Sequence, residues 1–339
     1  MSEAEKSMRA VVLEHSAPIT ERPLALREVP CPTLAEGEVL LKVRACGVCR
    51  TDLHITEGEL PALREHIIPG HQIVGDVVES RHAQVAMGAR VGVSWLGGTD
   101  GSCSYCQAGR ENLCDTPTYT GYSRDGGYAE YAAVRGDFTF AIPSRLDDLQ
   151  AAPLLCAGVI GFRSLRRAGV QPGQRVGLWG FGASAHLAIR VLQEWGCKVY
   201  VSTRGASHQA LARKLGADWV GSEREMPPEP VHAAVTFAPS GDVVVAALAS
   251  LRKGGIVAIN AIHLDRMPEF DYDRLLWGER EIRSVANMTR QDARDFLAIA
   301  ERIQITPEVT SFALEQANEA LLAVKRDALD GAAVIVPGR

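Results

Sequence analysis

The 339-residue chain lacks any run of about 20 apolar residues, so no segment of it reads as a bilayer-spanning helix. Its first residues, Met1-Ser-Glu-Ala-Glu-Lys, lack the apolar stretch of a secretory signal. There is no basic block: 36 Lys and Arg stand against 41 Asp and Glu, a net charge of −5, which leaves no electrostatic case for nucleic acid or anionic lipid. Low-complexity tracts and internal repeats are also missing, and 46% hydrophobic with 23% charged residues is ordinary globular usage, which excludes disorder. A folded, cytoplasmic protein acting on small molecules is expected. At roughly 100 to 200 residues per domain the length predicts two domains.

Eight cysteines without a signal segment are expected to serve metal binding or catalysis, because cytosolic thiols stay reduced. They are unevenly placed. Cys103, Cys106 and Cys114 cluster, Cys49 and Cys156 lie in motif-like surroundings, and Cys31, Cys46 and Cys197 do not.

From Met8 to about Ala141, short apolar runs (Arg9–Leu13, Val39–Val43, Ile73–Val78) between Gly and Pro turns predict an all-β, barrel-like first part. After Pro153 helices and strands alternate, which means parallel βαβ units. The expected helices are Leu154–Ala168, Ala185–Trp195 and Asp242–Leu251; the expected strands are Arg175–Trp179, Lys198–Ser202, Ala233–Phe237 and Ile256–Asn260. Helices around Asp292–Ile303 and Leu314–Val324 then precede a strand, Ala332–Val336, placed to return to the first part. The domains expected are 1–156 with 288–339, and an inserted doubly wound α/β domain over 157–287, with a cleft between them.

Gly180-Phe-Gly182-Ala-Ser-Ala185 follows a predicted strand and opens a predicted helix, the setting in which G-x-G-x-x-A binds a dinucleotide. Gly180 permits the tight turn, Gly182 lets a pyrophosphate approach the backbone, and Ala185 keeps helix and strand close. The next strand ends at Thr203-Arg204, with no carboxylate for a ribose diol. A guanidinium there tolerates a 2′-phosphate, which favours NADP and leaves NAD open.

Asp100, Cys103, Cys106 and Cys114 form D-x2-C-x2-C-x7-C, a donor set for a closed tetrahedral zinc. Asp100 is well placed as the fourth ligand; a water or another side chain completing a three-cysteine site stays open. Cys49, His71 and Cys156 are dispersed. Two thiolates and one imidazole would leave a zinc with one open position, although lone buried Cys and His residues are more often core.

Cys49-Arg-Thr-Asp-Leu-His54, Pro69-Gly-His71, the cysteine lobe, Gly126-Gly-Tyr-Ala-Glu-Tyr131, Ala152-Pro-Leu-Leu-Cys156 and the glycine turn occur in one order. Together they resemble the zinc-dependent alcohol dehydrogenases of the medium-chain dehydrogenase/reductase superfamily, over essentially the whole chain. The resemblance implies a GroES-like catalytic domain, an inserted Rossmann coenzyme domain, two zinc ions per chain, reversible hydride transfer between an alcohol and NAD(P), and a homodimer or homotetramer. A polyol or cinnamyl-type dehydrogenase, or more remotely a non-catalytic zinc- and nucleotide-binding protein, is the alternative.

By family position the resemblance makes Cys49, His71 and Cys156 the catalytic zinc ligands. It gives Thr51 a contact to the alcohol oxygen and His54 the outer end of a proton relay, where imidazole chemistry suits neutral pH. Asp52 orients His71, and Gln72 stands behind the metal where glutamate is common. Arg50 contacts pyrophosphate, Asn260 and Ile262 meet the nicotinamide amide, and Trp95 narrows the substrate pocket while Thr56 widens it. Relatives often pair the aspartate with an arginine from the last strand; Gly331-Ala-Ala-Val334 has none, so the partner of Asp52 is open.

Overall fold

The computed structural model describes residues 7–329 and 331–338. The chain divides into two compact units, one running to Cys156 and resuming at Thr289, the other spanning Ala157–Met288. The resumption falls at Thr289 rather than residue 288. Met288 is buried, whereas Thr289 caps the helix Arg290–Ile303 by exchanging hydrogen bonds with Asp292, so the cap belongs with its helix.

The first unit is organised on one long strand, Glu38–Val48, buried along both ends. It pairs antiparallel with Gln72–Ser80, Tyr131–Arg135 and Ala332–Val336. The expected late strand therefore does return to the first part, and it carries with it the parallel strand Val309–Ala313. The register sets Gly47 opposite Gln72. A Cβ on Gly47 would lie 2.9 Å from the Gln72 side chain, so glycine here is what lets Gln72 lie buried across the strand. The first unit is not all β. Directly after the long strand the chain winds into the helix Arg50–Glu57, which closes on Gly58 in the left-handed conformation. Eight residues with a charge-rich first turn show too little apolar periodicity for this helix to stand out in the sequence.

In the second unit six parallel strands lie in the order Trp219–Gly221, Lys198–Ser202, Arg175–Trp179, Val231–Thr236, Leu251–Ile259 and Glu281–Ser284. In chain order this is 3-2-1-4-5-6, the doubly wound arrangement whose switch point lies beside the first strand. The near-continuous apolar burial of Val176, Leu178, Ala233 and Val235 is what a sheet covered on both faces requires.

The helical run expected over Leu154–Ala168 begins earlier, at Asp148, and is not uniform. Its middle, Leu154–Gly158, is a wider π-type turn, and regular helix resumes over Val159–Arg167. Pro153 has no N–H to offer the ladder, which loosens it where the turn begins.

The helix Arg290–Ile303 is tied to the cysteine lobe by Arg290. Its guanidinium meets both carboxylate oxygens of Glu111 (2.6 Å at the closest) and lies 4.6 Å over the Phe138 ring. Burial pushes the Glu111 carboxyl up, but Arg290 outweighs that and holds it below the usual range. Such a group stabilises fully above its ordinary pKa and loses the contribution as pH falls through its lowered one. Arg290→Ala leaves Glu111 buried and unpaired, so it is expected to cost about 3 kcal/mol in urea unfolding at pH 7. The deficit relative to wild type should narrow below about pH 4.

Candidate functional site

Cys49 and His71 are 22 residues apart, yet the antiparallel register brings them together: Cys49 follows the end of one strand and His71 precedes the start of its neighbour. Cys49 Sγ lies 3.4 Å from His71 Nε2. With Cys156 the three ligand atoms all fall within 4.8 Å of one another. A tetrahedral zinc with Zn–S near 2.3 Å and Zn–N near 2.0 Å has an S···N edge of about 3.5 Å, so the donor set and its spacing fit that ion.

Cys156 is supplied by the π-type turn. The Ser94 hydroxyl donates to Leu155 O at 2.5 Å, and the Leu155 side chain packs where a Cβ on Gly92 would stand, so the residue before the thiol is held from two directions. His71 is held by its other nitrogen. Asp52 Oδ1 lies 2.9 Å from His71 Nδ1, and both side chains are fully buried. An ionised carboxylate only accepts, so Nδ1 carries a proton toward Asp52, and Nε2 is the nitrogen that faces Cys49. Asp52 Oδ2 accepts from Cys49 N–H at 2.9 Å, and Cys49 Sγ accepts from Thr51 N–H at 3.3 Å.

The electrostatics follow from this geometry. Cys49 is held well below an ordinary thiol, first by the hydrogen bond from Cys156 and then, against burial, by His71. Cys156, the donor of that pair, is pushed up. Burial lowers the His71 imidazole, but Asp52 and Cys49 outweigh it and raise the net value. The Cys49 sulfur thus lies between the Cys156 thiol and a protonated imidazole, an arrangement that a divalent cation would complete by displacing both of those protons.

Thr51 is buried beside Cys49, and Thr56 is fully buried with its hydroxyl on Asp52 O at 2.7 Å. Thr56 thus adds no free polar group to a pocket. His54 Nδ1 pairs with the Glu59 carboxylate, which the helix C-cap places by a bond from Glu59 N–H to His54 O (2.9 Å). Trp95 packs perpendicular to the His71 ring (ring centres 5.2 Å, 81°) and stacks on Tyr119 and Tyr122 at 5.0 and 5.8 Å. Glu59, Tyr119 and Tyr122 escaped the sequence reading. Only the aromatic spacing Tyr119-Thr-Gly-Tyr122 after the cysteine lobe could have hinted at two of them.

The second cluster joins Asp100, Cys103, Cys106 and Cys114, again within 4.8 Å, and is more exposed. Asp100 Oδ1 accepts from Cys103 N–H at 2.8 Å and Ser102 N–H at 2.7 Å; Oδ2 lies 3.0 Å from Cys114 Sγ. The Cys103 N–H leads the groups that hold the Asp100 carboxyl well below the usual range. Three sulfurs and one ionised oxygen fit a closed zinc site.

In the second unit the glycine turn has its expected form. Gly180 has φ +87°, a Cβ there would stand 3.0 Å from Ala238 N, and nothing lies within 4 Å of one on Gly182, which begins the helix Ala183–Glu194. Ala185 is fully buried. Thr203 is buried, and its carbonyl accepts from Gln209 Nε2 at 2.9 Å. The Arg204 side chain is 81% exposed and lies 3.6 Å from Glu223. Asn260 N–H donates to Thr236 O at 2.9 Å, Ile262 is exposed, and Arg50, in the first unit, is exposed at the start of its helix.

A family model described as alcohol dehydrogenase GroES-like domain matches residues 35–144, and one described as zinc-binding dehydrogenase matches 185–302. AdhA of Mycobacterium tuberculosis is 45% identical over 337 residues, covering 97% of each chain. The chain belongs to the zinc-type alcohol dehydrogenases of the medium-chain dehydrogenase/reductase superfamily. An alcohol dehydrogenase of Geobacillus stearothermophilus is 35% identical over 326 residues, covering 93% of this chain and 96% of its own. The structure of a cobalt- and zinc-bound thermostable alcohol dehydrogenase from Pyrobaculum aerophilum superposes with a TM-score of 0.87 at 25% identity, covering 98% of this chain and 100% of that one. The protein is thus an NAD(P)-dependent alcohol oxidoreductase acting on small molecules, and among its described residues no helix is long and apolar enough to cross a membrane.

Replacing Gly180 by valine forces a branched side chain into the left-handed region beside Ala238. A loss of about 1–3 kcal/mol is expected, read as a lower thermal midpoint without coenzyme.

Proposed function

We propose that the β-rich unit is the catalytic domain, with a zinc held by Cys49, His71 and Cys156, and that the parallel-sheet unit binds the coenzyme. The observation that carries this reading is the 3.4 Å approach of Cys49 Sγ to a His71 nitrogen whose opposite face is locked by a buried carboxylate. When bound, the zinc supplies a Lewis acid that favours the ionised alcohol or polarises the aldehyde, and the nicotinamide exchanges the hydride.

The chain's own residues do the rest. Asp52 keeps His71 in its ligating tautomer. The Thr51 hydroxyl accepts the alcohol proton as it gives up its own, and His54, paired with Glu59, is the outer group from which a proton reaches solvent. Gln72 lies behind the histidine without the charge a glutamate would bring. Trp95, with Tyr119 and Tyr122 stacked behind it, forms an apolar wall, which favours hydrocarbon-chain or aromatic alcohols and aldehydes over polyols. Gly180, Gly182 and Ala185 seat the pyrophosphate, with Arg50 as a further contact, and Asn260 and Ile262 meet the nicotinamide amide. Thr203 and the exposed Arg204 receive the 2′-phosphate of NADP. Asp100, Cys103, Cys106 and Cys114 hold a second, structural zinc, and the working form is a homodimer or homotetramer.

Cys49→Ala should lose one zinc per chain and lower turnover by about 10³-fold, the effect of several kcal/mol of lost charge stabilisation. Turnover at the wild-type rate would overturn the assignment. Metal analysis of pure wild type should find two zinc ions per chain, and a value of one would remove the lobe site. Arg204→Ala should reduce the NADPH-to-NADH preference by about 10- to 100-fold in kcat/KM over a panel of short, long and aromatic aldehydes. An unchanged ratio would sink the role of Arg204.

A further inference from the structure

Asp52 is a fully buried carboxylate whose hydrogen bonds come from one imidazole and one backbone N–H. No ion pair joins it to Lys or Arg among the described residues. The last strand, where an arginine would be sought, offers Ala332 and Ala333. Each carboxylate oxygen retains a lone pair in a place closed to water, and a buried anion with so few donors is costly.

One further polar group lies beside it. Tyr128 is fully buried, and its hydroxyl has no partner at full hydrogen-bond geometry, with Asp52 as the one side chain near enough to act on it as a hydrogen-bond acceptor. Burial raises the phenol first, and Asp52 is the leading charge that adds to this, ahead of the Cys46 and Cys49 sulfurs. The Cys46 thiol is directed to Gly47 O at 3.7 Å. The phenol is firmly placed: Tyr128 N–H donates to Pro69 O at 3.0 Å, and Tyr128 O accepts from Val11 N–H at 2.8 Å. Its ring covers Gly70 so closely that a Cβ there would stand 2.4 Å from Cδ1, and Gly70 immediately precedes His71. A neutral donor with no other partner thus stands next to an underserved acceptor, on the residue leading into the histidine.

We propose that Tyr128 is a positioning residue for the metal centre: in the zinc-loaded protein its hydroxyl donates to Asp52, in place of a cation, and steadies the carboxylate that holds His71. This rests on the reading of Cys49, His71 and Cys156 as zinc ligands. A neutral donor shares the carboxylate's charge without cancelling it, so Asp52 keeps its hold on the His71 ring proton.

The test is zinc release from the holoenzyme to the chelator 4-(2-pyridylazo)resorcinol, followed in the phase that Cys49→Ala removes. Tyr128→Phe, which deletes one oxygen, should accelerate that phase 10- to 100-fold. In an Asp52→Asn background the same change should alter it less than twofold, because the hydroxyl then has no carboxylate to serve. An unchanged rate in Tyr128→Phe, or the same acceleration in both backgrounds, overturns the proposal, the latter leaving ring packing as the only role. A wild type lacking the Cys49-dependent phase overturns the metal assignment itself. Should Tyr128→Phe not fold, the wild-type chain labelled with carbon-13 at tyrosine Cζ decides: the Tyr128 resonance of the zinc-loaded protein must move on Asp52→Asn, and a fixed resonance overturns the proposal.

Discussion

The arrangement of the first unit turns on one buried hydrogen-bonded carboxylate. Asp52 receives the backbone N–H of Cys49 on one oxygen and the ring of His71 on the other, so a single side chain joins a helix start to a strand start. A charge in that position is tolerated only while both donors stay in place, which makes the pairing of Glu38–Val48 with Gln72–Ser80 and the winding of Arg50–Glu57 conditions of each other. The close approach of the candidate ligands is a by-product of meeting that condition. With those two bonds made, the Cys49 sulfur and the second nitrogen of His71 face each other at 3.4 Å.

The two candidate metal clusters differ in the way their proposed chemistry requires. The lobe is sequence-local, runs from an exposed Asp100 to a buried Cys114, and offers four donors, the fourth being an aspartate steadied by the backbone N–H groups of its own turn. A local loop can assemble such a closed site by itself. The buried cluster offers three donors from three distant segments, and one of them, Cys156, sits in a helical turn widened after a proline. On the proposed reading, three donors would leave a metal the open position that catalysis needs, and drawing them from separate elements lets Trp95, stacked on Tyr119 and Tyr122, stand against His71.

Much of the scaffold was legible. The strands Arg175–Trp179, Lys198–Ser202 and Ala332–Val336 have their expected bounds because buried parallel and central strands are written as short, unbroken apolar runs. The glycine turn was legible because the positive φ at Gly180 demands that residue type. The helix Arg50–Glu57 and the strands Val309–Ala313 and Glu281–Ser284 were not: they are short, of mixed polarity, and owe their form to partners far along the chain.

The sequence by itself determined which chemistry is present: the spaced thiols and Asp100 of the lobe, the motif order, the absence of a carboxylate at Thr203-Arg204, and the alternation of strand and helix. These are properties of residue type and local spacing, which survive in an unfolded chain. Only the tertiary structure decided which of those residues meet. It chose which nitrogen of His71 faces Cys49, turned the Thr56 hydroxyl onto backbone, gave His54 a carboxylate partner in Glu59, and buried the Tyr128 hydroxyl beside Asp52. Those outcomes depend on strand register and on the exclusion of water, neither of which a linear pattern carries.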